Sequence, residues 1–417
     1  MNPLLTSLTG DSEHLDAGDR AILDAALRNG LPGARSERWR YTPLRALERR
    51  SFAAAVEVAA PKTEALQRIP APRLVFVNGF HSADLSDTTG LPDGIALLPR
   101  RVDDAWLPSI AADTGADAVF AQINQALARN GFSLRVAIGT NFALPLHLVF
   151  VGASATEDQA WHLRHDVEIA DGASAMIVEH HVSVDPHRHF ASHVLSIRLG
   201  ANAVLRHARI QDDADGATLI QETRVTVSER AEYRRVDLEL GAALSRHELM
   251  VSLAGRHATL SSGGVLFADG RRHLDTRLDI RHAARDTACD LRWRGLASGR
   301  SRAVFHGGIV IEPGADGSDA RLSNKNLLLS ADAEIDAQPV LEIHADEVKA
   351  AHGATVGRLD ENALFYLRSR GLPLADARQL LIAAFCREPI RVLDDSSLTG
   401  LLTGLIDERL SALEEKG

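Results

Sequence analysis

Histidine is the residue type with the most chemistry to offer in this chain. In DPHRHFASH, His187 and His189 stand two apart and His193 follows four later, with His180 and His181 just upstream. On a strand, residues i and i+2 project from the same face. Two same-face imidazoles plus a third group can hold a divalent metal. Asp185-Pro186 favours a turn, however, so solvated loop histidines are the competing reading. A second setting is VKAAHGATVG, residues 348–357, where His352 is surrounded by alanine and glycine. Small neighbours leave the ring uncrowded and admit a second backbone. Composition alone leaves a functional ring and a tight structural corner level. Asp336, Glu342, Asp346 and Glu347 lie near His352 in sequence but form no spacing-defined acid/base pair. There is no glycine-rich phosphate loop and no G-x-S-x-G elbow. SGG at 262–264 reads as a turn, and Asn324 and Asn326 as turn residues bonded to backbone.

The elements that must carry these residues change along the chain. DAGDRAILDAALRNG predicts a helix stopped by Gly30. SERWRYTPLRALERR predicts another, with Thr42 as N-cap and Pro43 at the first helical position. RLVFVNGF reads as a short strand, and AVFAQINQALARNG as a helix closed by Gly131. From about 145 to 350, short alternating runs begin near Val167, Leu195, Val225, Leu249, Leu278 and Ile309. A loose period of this kind signals stacked units, since a five-residue strand cannot bury its face alone. No helical segments intervene, which argues against a doubly wound sheet. The expectation is mainly β, a β-helix or related solenoid, with a β-sandwich as the alternative. The end is helical again, with Leu398, Leu401, Leu402, Leu405, Ile406, Leu410 and Leu413 on one stripe that must be buried on other helices or on a partner. The expected domains are 1–140, mostly helical; 141–357, the β-helix; and 358–417, helical.

The net charge of −10 argues against nucleic-acid or acidic-membrane binding by the whole chain. No apolar run approaches the roughly 20 residues that span a bilayer. Cys289 and Cys386, the only cysteines, are far apart and exclude a disulfide framework. The start, MNPLLTSLTGDSEHLD, lacks a basic flank and apolar core. A cytoplasmic protein is expected.

NKNLLLSADAEIDAQPVLEIHADEVKAAHGATVGRLDENALFYLRSRGL, residues 324–372, resembles the signature of the SufB/SufD family of iron–sulfur cluster assembly proteins. RAVFHGGIVIEPGADGSDA, residues 302–320, fits the same family, and ERWRYTPL resembles the entry to its SufD branch. The resemblance implies a right-handed parallel β-helix between N-terminal and C-terminal α-helical domains. It implies a non-enzymatic scaffold that pairs with SufB through the β-helix and with the ATPase SufC through the C-terminal helices. No cofactor would be stably bound by the isolated chain; a transient iron–sulfur cluster would form at the SufB interface. His352 would face that seam as a transient iron ligand. The family cysteine two positions earlier is Ala350 here, and neither Cys289 nor Cys386 matches it, so the thiolate would come from SufB. Phe365, Tyr366, Arg368 and Arg370 are the SufC-contact candidates, because aromatic and arginine side chains anchor interfaces. Residues 325–350 would pair with SufB, or with a second copy of the chain in its absence. The competing reading is a β-solenoid metalloenzyme using His187, His189 and His193.

Overall fold

In the computed structural model, which describes residues 2–9, 15–33, 35–61, 64–101 and 115–414, the alternating runs stack in register. Val167, Ile197, Val225, Val251, Ile280 and Ile309 form one inward column of a parallel sheet. Leu195, Leu249 and Leu278 occupy the next inward position, two residues earlier on their strands. From Asn130 onward, cross-strand partners lie between 26 residues apart (Thr218 with Leu244) and 33 apart (Asn130 with Leu163). A second parallel sheet takes the alternate strands, from Asn141–Gly152 to Lys349–Gly357. The result is a β-solenoid of about 8 turns with helices at both ends of the chain.

One backbone device recurs on every passage from the first sheet to the second. Two residues before each second-sheet strand, φ is positive: Gly139, Gly172, Asn202, Arg230, His257, Asp286, Gly317 and Glu347. The left-handed turn reverses the chain in a few residues and sets each coil's register. Arginine, histidine and glutamate hold it at a cost of roughly 1–2 kcal/mol each. Arg256–Asp286 and Arg285–Asp316 ion pairs, both 2.8 Å, tie successive turns together.

Both sheets are covered on their outer faces, so alternation does not report which face is the solenoid interior. Val236 and Leu238 point outward and pack with Val265, Phe267 and Leu296 against Ile390, Leu398, Leu402 and Ile406 of the C-terminal helices. Their neighbours Arg235, Asp237 and Glu239 point inward and are fully buried. The C-terminal helices run Glu361–Ser369, Leu374–Ile390 and Ser396–Glu414. The leucine stripe is therefore buried on the solenoid itself, with Leu401 left 39 % exposed.

The N-terminal segments cover the first sheet's outer face. Helices Ala17–Asn29 and Val119–Leu127 pack with Trp39, Phe52, Phe120 and Phe190. The solenoid begins before residue 141: Asn130–Val136 pairs with Gln159–Ile169, and Arg73–Val77 pairs with Asn141–Gly152. The 1–140 segment is thus joined to the β stack by its own strands. Gly131 lies in strand Asn130–Val136 rather than closing a helix. Thr42 does not cap a helix; only the short turn Leu44–Ala46 follows, and the Thr42 hydroxyl donates to Asp275 Oδ2 at 2.5 Å and contacts His273 Nε2 at 3.0 Å. Tertiary partners outcompete the local cap here. Residues 262–264 lie within strand Thr259–Ala268: a Cβ on Gly264 would strike the Trp293 ring, so the glycine makes room for it.

Candidate functional site

His352 sits on the last second-sheet strand, Lys349–Gly357. Its column runs back through Leu322, Leu291, Ser262, Arg235, His207 and Ile177, all buried and inward. His352 therefore occupies an interior position, yet it is exposed. The strand pairs on one side only, with Asp319–Leu328, and no described residue covers the other. Ile343 and Val356 are 45 % and 47 % exposed at the same end. The opposing terminal strand, Glu334–Ile343, contains Pro339, which lacks an N–H and blunts that edge. Lys349–Gly357 contains no proline and keeps every donor. A Cβ at Gly353 or Gly357 would meet nothing within 4 Å, so the chain's own packing does not demand glycine there. The small residues leave room outward, on the side another chain would approach.

The carboxylates near His352 in sequence go elsewhere. Asp336 pairs with Arg302 at 2.6 Å, and Glu342 lies 3.9 Å from His344. Asn324 and Asn326 are not turn residues but inward strand residues, and Asn326 Nδ2 donates to Asn324 Oδ1 at 2.6 Å and to the Thr355 carbonyl at 3.0 Å. They tie the last coil to the one below. Cys289 lies two rungs beneath Ala350 in one column, with Ala320 between. Its Sγ is 3.2 Å from His282 Nε2. Burial pushes the thiol up to about 12 and His282 down to about 4, so the pair is neutral.

His187, His189 and His193 are buried, not solvated. His187 and His189 stack at 4.5 Å. His187 Nε2 contacts Ser183 Oγ at 2.8 Å. His189 Nδ1 accepts from the Gln159 N–H at 2.9 Å and its Nε2 donates to the Ala153 carbonyl at 3.0 Å, so neither nitrogen faces an ion. His193 points into the solenoid, with its ring edge on Phe150 at 4.7 Å. Among the described residues, no three His, Cys, Asp or Glu side chains are arranged to hold a metal.

The largest departure from the sequence reading is a polar midsection inside the solenoid. Glu179 is its centre: His207 Nε2 lies 2.6 Å away, His181 Nε2 3.3 Å, and Gln221 Nε2 donates at 2.9 Å. Burial acts to raise the carboxyl, but the bonds from His181 and His207 and the Arg235 charge hold it well below the usual range. Arg235 chelates Asp237, with Nη2 at 2.8 Å and Nε at 2.9 Å. Arg209 pairs with Glu239, whose other oxygen accepts from Ser245 at 3.0 Å. Burial keeps His193 and His247 well below the imidazole range. Apolar layers close it on both sides, Phe132, Phe150 and Leu163 before it and Leu291, Trp293 and Phe305 beyond. Its signal in the sequence was the alternation of YRRVDLEL, which reads equally well with either face inward.

On the C-terminal helices, Phe365 and Tyr366 are 75 % and 57 % exposed, while Leu364 between helix and solenoid is buried. Arg368 and Arg370 are exposed beside them, and the Arg370 guanidinium lies 5.2 Å from the Tyr366 ring centroid. All four candidates are exposed, with Tyr366 and Arg370 in contact, while His352 lies on the solenoid strand that precedes these helices.

The family model described as "SUF system FeS cluster assembly, SufBD core domain" matches residues 150–385. The chain is 34 % identical over 396 residues to the iron–sulfur cluster assembly protein SufD of Escherichia coli, covering 93 % of this chain and 91 % of that protein. It is 31 % identical over 389 residues to an iron–sulfur cluster assembly SufBD family protein of Synechocystis, covering 89 % and 86 %. A SufBD family protein of Mycobacterium leprae is 27 % identical over 394 residues, covering 93 % and 92 %.

Proposed function

Because the chain belongs to the SufB/SufD family of iron–sulfur cluster assembly proteins, we propose that it works as a SufD-type, non-enzymatic scaffold in a SufBCD-type complex. It pairs with a SufB-like chain through the free edge of Lys349–Gly357 and with a SufC-like ATPase through the patch around Phe365 and Tyr366. A nascent cluster is cargo at the seam, held transiently, and the isolated chain keeps no cofactor. His352 offers one imidazole nitrogen to iron; the thiolates come from the partner, since Ala350 supplies none and Cys289 is buried. Both cysteines are free thiols, which suits a reducing cytoplasm. In the absence of SufB, the same edge pairs with a second copy.

The uncovered last coil carries this reading. It exposes Ile343, Val356 and an interior-facing histidine on a strand with an intact edge. The test is co-expression with the SufB-like and SufC-like proteins of the same organism. Val356→Asp should abolish capture of SufB while leaving SufC bound, and Phe365→Ala with Tyr366→Ala should do the reverse. Retention of SufB by Val356→Asp would remove the edge from the interface.

A further inference from the structure

A cavity of about 1100 Å³ lies between the C-terminal helices and the turns of the adjacent coils. Its floor is apolar: Leu328, Leu329, Leu359, Leu364, Ile382 and Leu410. Arg271, Arg358 and Arg378 stand exposed around it, and no described residue forms an ion pair with any of them. Glu361, Asp215 and Asp269 are the carboxylates of the lining, the last two paired with Arg272. Arg272, only 8 % exposed, forms part of the wall. Two of its nitrogens are engaged by Asp215 and Asp269, and its buried Nε–H has no acceptor among the described residues. Helix Leu374–Ile390 begins here with Pro373 at its N-cap and no side chain capping it; Ala375 and Arg378 of its first turns line the cavity. Asp376 already stands in the first turn of this helix; the unpaired arginines are what call for negative charge. They do so in a chain whose net charge is −10, so the positive rim is a local feature.

We propose that this cavity binds a small amphipathic anion, an acyl or aryl body bearing a single phosphate or carboxylate. The body lies on the leucine floor. The head lies between Arg358 and Arg378, beside the first turn of Leu374–Ile390. The volume lies just above the range of ordinary small-molecule sites, about 300–1,000 Å³, and an apolar floor with few polar anchors is their usual make-up.

The experiment is titration calorimetry on the full chain with dodecyl phosphate below its micelle concentration, 1-naphthyl phosphate, and inorganic phosphate. The acyl and aryl probes decide which body the floor takes. At least one amphiphile should bind at a single site. Arg358→Glu combined with Arg378→Glu should weaken it about tenfold or more, since charge-assisted hydrogen bonds are lost. The matched reversal Arg281→Glu with Arg285→Glu, elsewhere on the solenoid surface, should leave it unchanged. Three outcomes overturn the proposal: no saturable binding of either amphiphile, equal weakening by both double variants, or inorganic phosphate binding as tightly as the amphiphiles. Circular dichroism of each variant confirms that the fold is intact.

Discussion

At the scale of the residue, position within a column decides what each histidine can do. His352 stands in an inward column but on the last rung, so its ring is available without disturbing a core. His352→Ala should change stability by no more than about 0.5–1 kcal/mol and leave the complex intact, yet lower iron and sulfide per complex. Cluster content measured at matched complex yield checks this; equal content assigns the ring a shape role only. Arg235 is the opposite case. Removing it strands Asp237 and loosens Glu179 inside the solenoid, and breaking a buried pair from one side costs about 3–5 kcal/mol. Urea unfolding of Arg235→Ala should show a loss of that size. Sequence reasoning singled out His352 because its neighbours are small, and missed Arg235 because a charged residue alternating with Val236 reads as solvent-facing. What the sequence does not carry is that helices cover the outer face, which sends Val236 and Leu238 outward and leaves the interior to the charges.

At the scale of the element, the recurring left-handed turn explains why the period was legible and its cause was not. The spacing of Val167, Leu195, Val225, Leu249, Leu278 and Ile309 exposed the coil length, because stacked strands repeat their apolar positions. The turn itself is filled by glycine, asparagine, arginine, histidine, aspartate or glutamate, so no residue type marks it. Arg230, with φ of 52°, should accept glycine with a stability change within about 1 kcal/mol, whereas Arg230→Val forces a β-branched residue into the same conformation and should lower stability clearly. Thermal unfolding of the two variants separates them. The C-terminal helices behave similarly. The leucine stripe was plain at helical spacing, but which surface it meets was not. Leu402→Ala, at a fully buried position, should cost about 2–5 kcal/mol, and Leu401→Ala, on the exposed flank, much less. Deleting the helices outright would bare Val236, Leu238 and Val265, so point substitutions are the better probe of partner binding.

At the scale of the whole molecule, many histidines are buried in neutral form. Burial brings His165 and His180 down to about 3, and His147, His162, His181 and His273 to about 4. The unfolded chain binds protons near the ordinary value of 6.5 and the folded chain does not. Stability from these groups is complete above about pH 6.5 and falls as the pH drops toward 4. Asp213, raised to about 6 by burial, and Asp19, Glu222 and Glu239, also raised by burial, act in the other direction but are outnumbered by the buried histidines. Below about pH 4.5, protonation of Glu179 and Glu248, both held low in the fold, adds to the loss. The melting temperature should therefore decline steadily from pH 7 to pH 5; a flat profile over that range would mean the histidines are hydrated in solution.

The uncovered final coil also has a dynamic consequence. In a stack where each coil touches only its neighbours, opening starts at a free end and proceeds inward. Amide protons of Lys349–Gly357 should exchange with solvent fastest in the stack, followed by those of Glu334–Ile343 and then Asp319–Leu328, giving a graded profile along the axis. A chain docked on the last strand would convert that gradient into uniform protection. The isolated protein would then breathe at the end that a docked chain would close, and docking and rigidity would become one event.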